Sequence, residues 1–175
     1  MVDIEKCRIT HYPADVLAKT AEPVKEINKN IRQLAEKMTD IMLENNGIGL
    51  AGPQAGVGLR IFVISLDASK ETVNVYINPT VTPSGDLYSM EEGCLSVPGV
   101  RTRIRRYRKC TVTATDLDGN EFTEEAEGLY ARCLQHENDH INGITIADRM
   151  GATAKISHRK QLKKLIDKHK ENPEE

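Results

Sequence analysis

Gln135-His136-Glu137-Asn138-Asp139-His140 decides how the rest of the chain is read. An α-helix turns about 100° per residue, so His136 and His140 lie one turn apart on a shared face. Two imidazoles in that relation can hold one divalent ion. Glu137, beside the first of them, stands where a general base serves a water that the ion activates. The neighbouring residues favour a helix over 128–142: Leu129, Cys133, Leu134 and Ile141 are its apolar members, and Gly143 is its stop.

Two histidines do not complete a catalytic site, which takes three protein ligands and keeps one position open. The longer pattern HExxHxxGxxH fails here, because Ile146 stands where its third histidine belongs. Downstream, His158 and Glu171 are available, but both sit in a lysine-rich stretch. Upstream, Glu92-Gly93-Cys94-Leu95-Ser96 sets a cysteine behind a glycine that permits close backbone approach, so Cys94 can offer a thiolate. A third segment, Gly47-Ile48-Gly49-Leu50-Ala51-Gly52-Pro53-Gln54, closes a helical pattern. It lacks the Lys-Ser/Thr of a phosphate-binding loop. A helix end followed by a loop accounts for it, except that Gln54 is then a lone strong hydrogen-bonding side chain among small residues.

The three segments occur in order as GIGLAGPQ, EGCLS and QHENDH, and together they resemble the motifs of the peptide deformylases over about residues 9–149. Gly52 replaces a common alanine and Ile141 a common leucine; neither change touches a ligand position. The resemblance implies a hydrolase that removes the formyl group from formylmethionine at the start of new polypeptides and releases formate. It implies Cys94, His136 and His140 as metal ligands, Glu137 as proton carrier, and the Gln54 side chain and Leu95 N–H as donors to the oxyanion. Ile48, Met90, Leu129 and Cys133 would line a methionine pocket, and Ile48 and Gly49 would pair with the extended peptide. Arg101, seven residues after Cys94, matches an arginine of the family and would orient Glu92 or the Cys94 loop at the substrate site. Asp139 would pair with Arg106. The donor set suits Zn, Fe(II), Co or Ni, and the resemblance implies Fe(II) in the cell, often replaced by Zn.

The expected fold is α+β: antiparallel sheets packed around the central metal-binding helix, with an N-terminal and a C-terminal helix, as one catalytic domain over 1–175. Val24, Ile27, Ile31, Leu34, Met38, Ile41 and Met42 recur at helical spacing and predict a helix over 22–44. Strands are predicted over 60–66 and 72–77, the second broken by Asn78-Pro79, with a turn at 82–85. The alternation over 100–116, the hairpin signal Asp118-Gly119-Asn120 and a strand over 121–126 follow. Arg101, Arg103 and Arg105 alternate and share a face, which a solvated, aggregation-resistant edge would explain. Three of the four cysteines read as small core residues.

Net charge of −2 excludes a general nucleic-acid binder, and no apolar run approaches the roughly 20 residues that cross a membrane. The start, MVDIEKCRIT, lacks a signal-peptide core, so a cytoplasmic protein is expected. The helix expected over 154–170 carries seven Lys and Arg between Lys155 and Lys170 against the single acid Asp167. It reads as a ribosome anchor separate from catalysis, opposed by the acidic end 171–175. Two other functions compete: a structural metal module that binds a partner, which would want a fourth ligand, and a related metal amidase acting on another small acyl group.

Overall fold

The computed structural model describes residues 1–172, so the last three residues of the acidic end lie outside the described residues. Helix α1, Lys29–Glu44, buries Ile31, Leu34, Ala35, Met38, Ile41 and Met42 along one stripe. It starts seven residues later than its apolar spacing predicts. Pro23 holds the preceding chain extended, and Asn28 caps the helix, its Oδ1 accepting from Asn30 N at 3.0 Å and Ile31 N at 3.2 Å. Val24 is buried, as the periodicity expects, but on an extended segment that the Asn78 side chain holds: Val24 N donates to Asn78 Oδ1 and Asn78 Nδ2 to Val24 O, both at 2.8 Å.

Five antiparallel strands hydrogen-bond as one sheet in chain order. They are β1 (Gly49–Ala51), β2 (Ile61–Ile64), β3 (Asn74–Gly93), β4 (Arg101–Thr115) and β5 (Glu121–Glu127). The expected break at Asn78-Pro79 and the expected turn at 82–85 are both absorbed into β3. The register instead shifts between Ile77 and Thr80 and again between Ser84 and Leu87. The cause is the partner strand. The long alternation of β4 offers an unbroken ladder, and bulges take up the residues that cannot pair. The GIGLAGPQ segment also departs from a simple helix end, since it forms the edge strand β1 and then a single 3₁₀ turn over Gly52–Ala55. Between β4 and β5, Asp116 Oδ1 accepts from Asp118 N at 2.8 Å and Asn120 N at 2.9 Å, and Gly119 takes the positive φ of 87° that the turn needs.

Helix α2, Gly128–Ile141, is the predicted metal helix and lies buried against the sheet, as the α+β expectation requires. Gln135 ties it to β4 where β5 has ended: its Nε2 donates to Tyr107 O at 2.8 Å and its Oε1 accepts from Tyr107 N at 3.1 Å. The side-chain amide thus stands in for a missing strand. A single turn α3, Ile146–Arg149, leads to α4, Ala152–Glu171. Cys7, Cys110 and Cys133 are buried in the core as expected, and all four cysteines are free. No helix among the described residues is long and apolar enough to cross a membrane.

Asn78 sits at φ 50° while bridging two segments. Asn78→Ala removes both bonds to Val24 and leaves a Cβ residue at positive φ without a compensating polar contact. The expected loss is about 2 kcal/mol or more in urea unfolding; an unchanged midpoint would mean that water replaces the bridge without cost.

Candidate metal centre and its pocket

The hairpin tip between β3 and β4 carries Cys94 to the histidine face of α2. Cys94 Sγ lies 3.2 Å from His140 Nε2, and His140 Nε2 lies 3.3 Å from His136 Nε2. The three donor atoms all lie within 4.8 Å of one another, and no other group of metal-ligating side chains converges in this way among the described residues. A tetrahedral ion with bonds of about 2.0–2.3 Å separates its ligands by about 3.5 Å, so one divalent ion fits this set. Burial pushes the Cys94 thiol up, but His140 and His136 beside it outweigh that and hold it well below its ordinary value, in the thiolate form that binds metal. His158 and Glu171 lie on α4 and do not join the cluster.

Behind the ligands lies a buried ionic network. His136 Nδ1 is 3.0 Å from Glu92 Oε2. The Arg106 guanidinium grips Glu92 with two donors, at 2.7 and 3.0 Å, and reaches Asp139 with a third at 2.8 Å. Arg132 donates to Glu92 and to Ile104 O, and Arg149 closes the far side of Asp139. Burial pushes the Glu92 carboxyl up, but the His136 hydrogen bond and the Arg106 hydrogen bonds and charge outweigh this and hold it at about 2. An ionised carboxylate on Nδ1 fixes the ring and its tautomer, leaving Nε2 toward the cluster. The expected Asp139–Arg106 pair is present. Arg101 does not orient Glu92; it pairs at 2.7 Å with the exposed Glu91. Strand parity explains the difference. Thr102, Ile104 and Arg106 face inward on β4, while Arg101, Arg103 and Arg105 face out. An arginine in the apolar parity was the available signal for Arg106. Arg132 had no comparable signal.

The predicted site residues come together closely. All but His140, which is buried, line one cavity of about 390 Å³: Cys94, His136, Glu137, Gln54, Leu95 and Arg101, with Ile48, Gly49, Met90, Leu129 and Cys133. Met90 and Leu129 are 40% and 47% exposed, so they form its mouth, while Cys133 closes its floor. Gln54 is buried and its orientation is set: Oε1 accepts from Ala51 N at 2.8 Å, which turns Nε2 toward Cys94 Sγ at 3.4 Å. Glu137 is buried, and burial raises its carboxyl to about 6, with His136 and His140 pulling the other way. Gly49 makes the room for it; a Cβ there would fall 2.4 Å from Glu137 Oε1.

The family model described as polypeptide deformylase matches residues 6–155. The chain belongs to the polypeptide deformylase family. A peptide deformylase of Thermodesulfovibrio yellowstonii is 41% identical over 157 residues, covering 89% of this chain and 95% of that protein. The crystal structure of the Plasmodium falciparum peptide deformylase superposes with a TM-score of 0.91 at 32% identity, covering 94% of this chain and 98% of that one. The Legionella pneumophila peptide deformylase gives 0.86 at 37% identity, covering 95% and 98%. The chain is therefore a metal-dependent hydrolase that removes the N-terminal formyl group from nascent peptides.

Glu92 is expected to govern metal affinity through His136. Glu92→Gln should weaken metal binding by about 10–100-fold in competition with a chelator, whereas Arg101→Ala should leave it unchanged. Equal affinities in all three proteins would detach the network from the ligands.

Proposed function

We propose that Cys94, His136 and His140 hold the metal of this deformylase and that Glu137, Gln54 and Leu95 do its proton and oxyanion chemistry. The observation that carries this reading is the convergence of three ligand atoms beside a buried carboxylate in one cavity. A divalent ion held there supplies a Lewis acid, which lowers the pKa of water from about 15.7 toward about 7. The formyl oxygen of the substrate lies against the Gln54 amide and the Leu95 N–H, donors fixed before the reaction starts. Glu137 takes a proton from the attacking water. As the C–N bond breaks, Glu137 passes that proton to the methionine nitrogen, and formate leaves with the water oxygen. A carboxyl near 6 suits both halves of this transfer at neutral pH.

Selection for formyl is steric, because a tight wall rejects the extra methyl of acetyl by about 1–3 kcal/mol. Ile48, Met90, Leu129 and Cys133 receive the methionine side chain, and Arg101 stands at the rim. β1 pairs only with β2 in the sheet order, so its other edge is open to an extended peptide at Ile48 and Gly49. Fe(II) is the metal in the cell, with Zn, Ni or Co able to replace it; a thiolate-held Fe(II) is oxidation-prone. The site of action is the cytoplasm.

The cations of α4 form a ribosome contact. Lys155, Arg159, Lys160, Lys163, Lys164, Lys168 and Lys170 are all exposed, and only Leu165 of the helix is buried. The helix is not detached from the site, however. Leu165 and the half-buried Leu162 share an apolar cluster with Val97, Val100 and Cys94, and Gln161 Nε2 donates to Pro98 O at 2.8 Å. Deleting α4 would therefore disturb the hairpin tip, and charge removal is the cleaner experiment.

Formate release from formyl-Met-Ala-Ser by anaerobically purified protein, with metal analysis of the same sample, tests the centre. Glu137→Ala should keep its metal and lose about 10²–10⁴-fold in turnover; Cys94→Ala should lose the metal, and retention of both metal and activity there would overturn the ligand set. Gln54→Ala should lower kcat by about 10²–10³ with little change in KM; a pure KM effect would make it a positioning residue. Lys160→Ala/Lys163→Ala/Lys164→Ala should hydrolyse the short peptide normally and lose low-salt co-sedimentation with ribosomes, and unchanged co-sedimentation would return α4 to a solvated face.

A further inference from the structure

We propose that the outer face of β4 is a docking surface for the phosphate backbone of RNA. Arg101, Arg103 and Arg105 are exposed, while the alternating Thr102, Ile104 and Arg106 are buried. Three guanidinium groups thus stand on one face at intervals of about 7 Å. Across the ladder the facing positions are Glu91, Ser89 and Leu87, opposite Arg103, Arg105 and Tyr107. The one acid among them is engaged by Arg101 at 2.7 Å. Arg103 donates to Ser89 O at 3.2 Å, and Arg105 has no side-chain partner among the described residues. The stripe is a concentrated positive patch on a chain whose net charge is −2.

Protection of a sheet edge does not account for these arginines. Over this stretch β4 pairs with β3 on one side. On its other side Gln135 satisfies the N–H and C=O of Tyr107, and Arg132 satisfies Ile104 O. These backbone groups of the edge are satisfied without the stripe. A protein partner is disfavoured too, because the large apolar side chains of the stripe and its facing positions among the described residues are Leu87 and Tyr107, 46% and 39% exposed. A planar guanidinium fork matches phosphate, and a neighbouring tyrosine can stack on a base. The contrast with α4, where six of the seven cations are lysines, marks a face built for geometry as well as charge.

The proposal shares its class of partner with the α4 reading but stands on different residues. The test uses full-length, metal-replete protein and labelled poly(U), with dissociation constants measured over a salt series. Arg103→Ala/Arg105→Ala should reduce the slope of log affinity against log salt by about 1.4, two contacts at about 0.7 each. Arg103→Lys/Arg105→Lys should keep the slope, and both variants should hydrolyse formyl-Met-Ala-Ser at the wild-type rate. If the Lys160, Lys163 and Lys164 triple variant loses RNA while the arginine variant keeps the wild-type slope, this proposal fails and the α4 reading stands. Loss in the arginine variant alone supports this face and removes α4. Equal binding of polyglutamate, lost in the same variant, would overturn the assignment to RNA.

Discussion

Glu92 and Asp139, two carboxylates buried beneath the metal helix, impose the constraint that the rest of the fold answers. A buried charge left without a partner costs several kcal/mol. Arginines from three elements pair with them: Arg106 on β4 with both, Arg132 on α2 with Glu92, and Arg149 on α3 with Asp139. The pairing fixes the depth at which α2 meets the sheet, and through His136 Nδ1 it fixes the ring that faces Cys94. Fold and ligand orientation are thus settled by one set of contacts. Such a network is weak as a source of net stability, because desolvation offsets most of its Coulomb energy. Its contribution is geometric, as a metal site with two imidazoles requires.

The third candidate ligand, Cys94, comes from a hairpin tip, ordinarily a mobile kind of structure. Here Val97 and Val100 are buried in a small cluster of their own, closed by Ile146, Met150 and Leu165, and the Gln161–Pro98 bond crosses from α4. Two successive turns, Val97 N to Cys94 O at 3.0 Å and Val100 N to Val97 O at 3.3 Å, shape the tip itself. The loop that carries the thiolate and the Leu95 N–H is therefore held from both sides, by its own turns and by α4. In the proposed mechanism the Leu95 N–H is a donor to the transition state, worth most when it does not have to reorganise, and this packing holds it in place.

The metal helix and its paired histidines were legible in the sequence because spacing and residue type carry that chemistry directly, while the pocket residues came with the family resemblance. His136 and His140 declare a shared face, Gly143 a stop, and the alternation over 100–116 a strand. The failures have one origin, in contacts made far along the chain. Val24 and Ile27 have helical spacing but lie before the Asn28 cap, and Val24 is held by Asn78 from across the fold. Pro79 and Pro83 look like breaks but sit in one long ladder, which bulges at Pro79 and keeps Pro83 in register opposite Cys110. Arg101, matched to an arginine of the family, was expected to orient Glu92 or the Cys94 loop, where parity along β4 gives Glu92 to Arg106. Arg132 on α2 could not be read at all, since its partner lies forty positions away on another element.

Glu137 shows why the first motif is glycine-rich. Its carboxylate is buried, and one of its oxygens, Oε2, has no hydrogen-bond partner within the protein. Ser96 Oγ, two residues from Cys94, and His140 Nδ1 are the other buried side-chain atoms in that state among the described residues, so they gather around the candidate metal centre. Glu137 stands beside the candidate ligands, which is where the proposed proton carrier must be if it is to exchange with a substrate. Gly49 makes the placement possible, because any side chain on β1 at that point would occupy the carboxylate's own volume. The same bare backbone lies on the open edge that an extended peptide would approach. One missing side chain thus serves two requirements that otherwise conflict, a carboxylate deep enough to have its pKa raised and a strand edge close enough to present a formyl group to it.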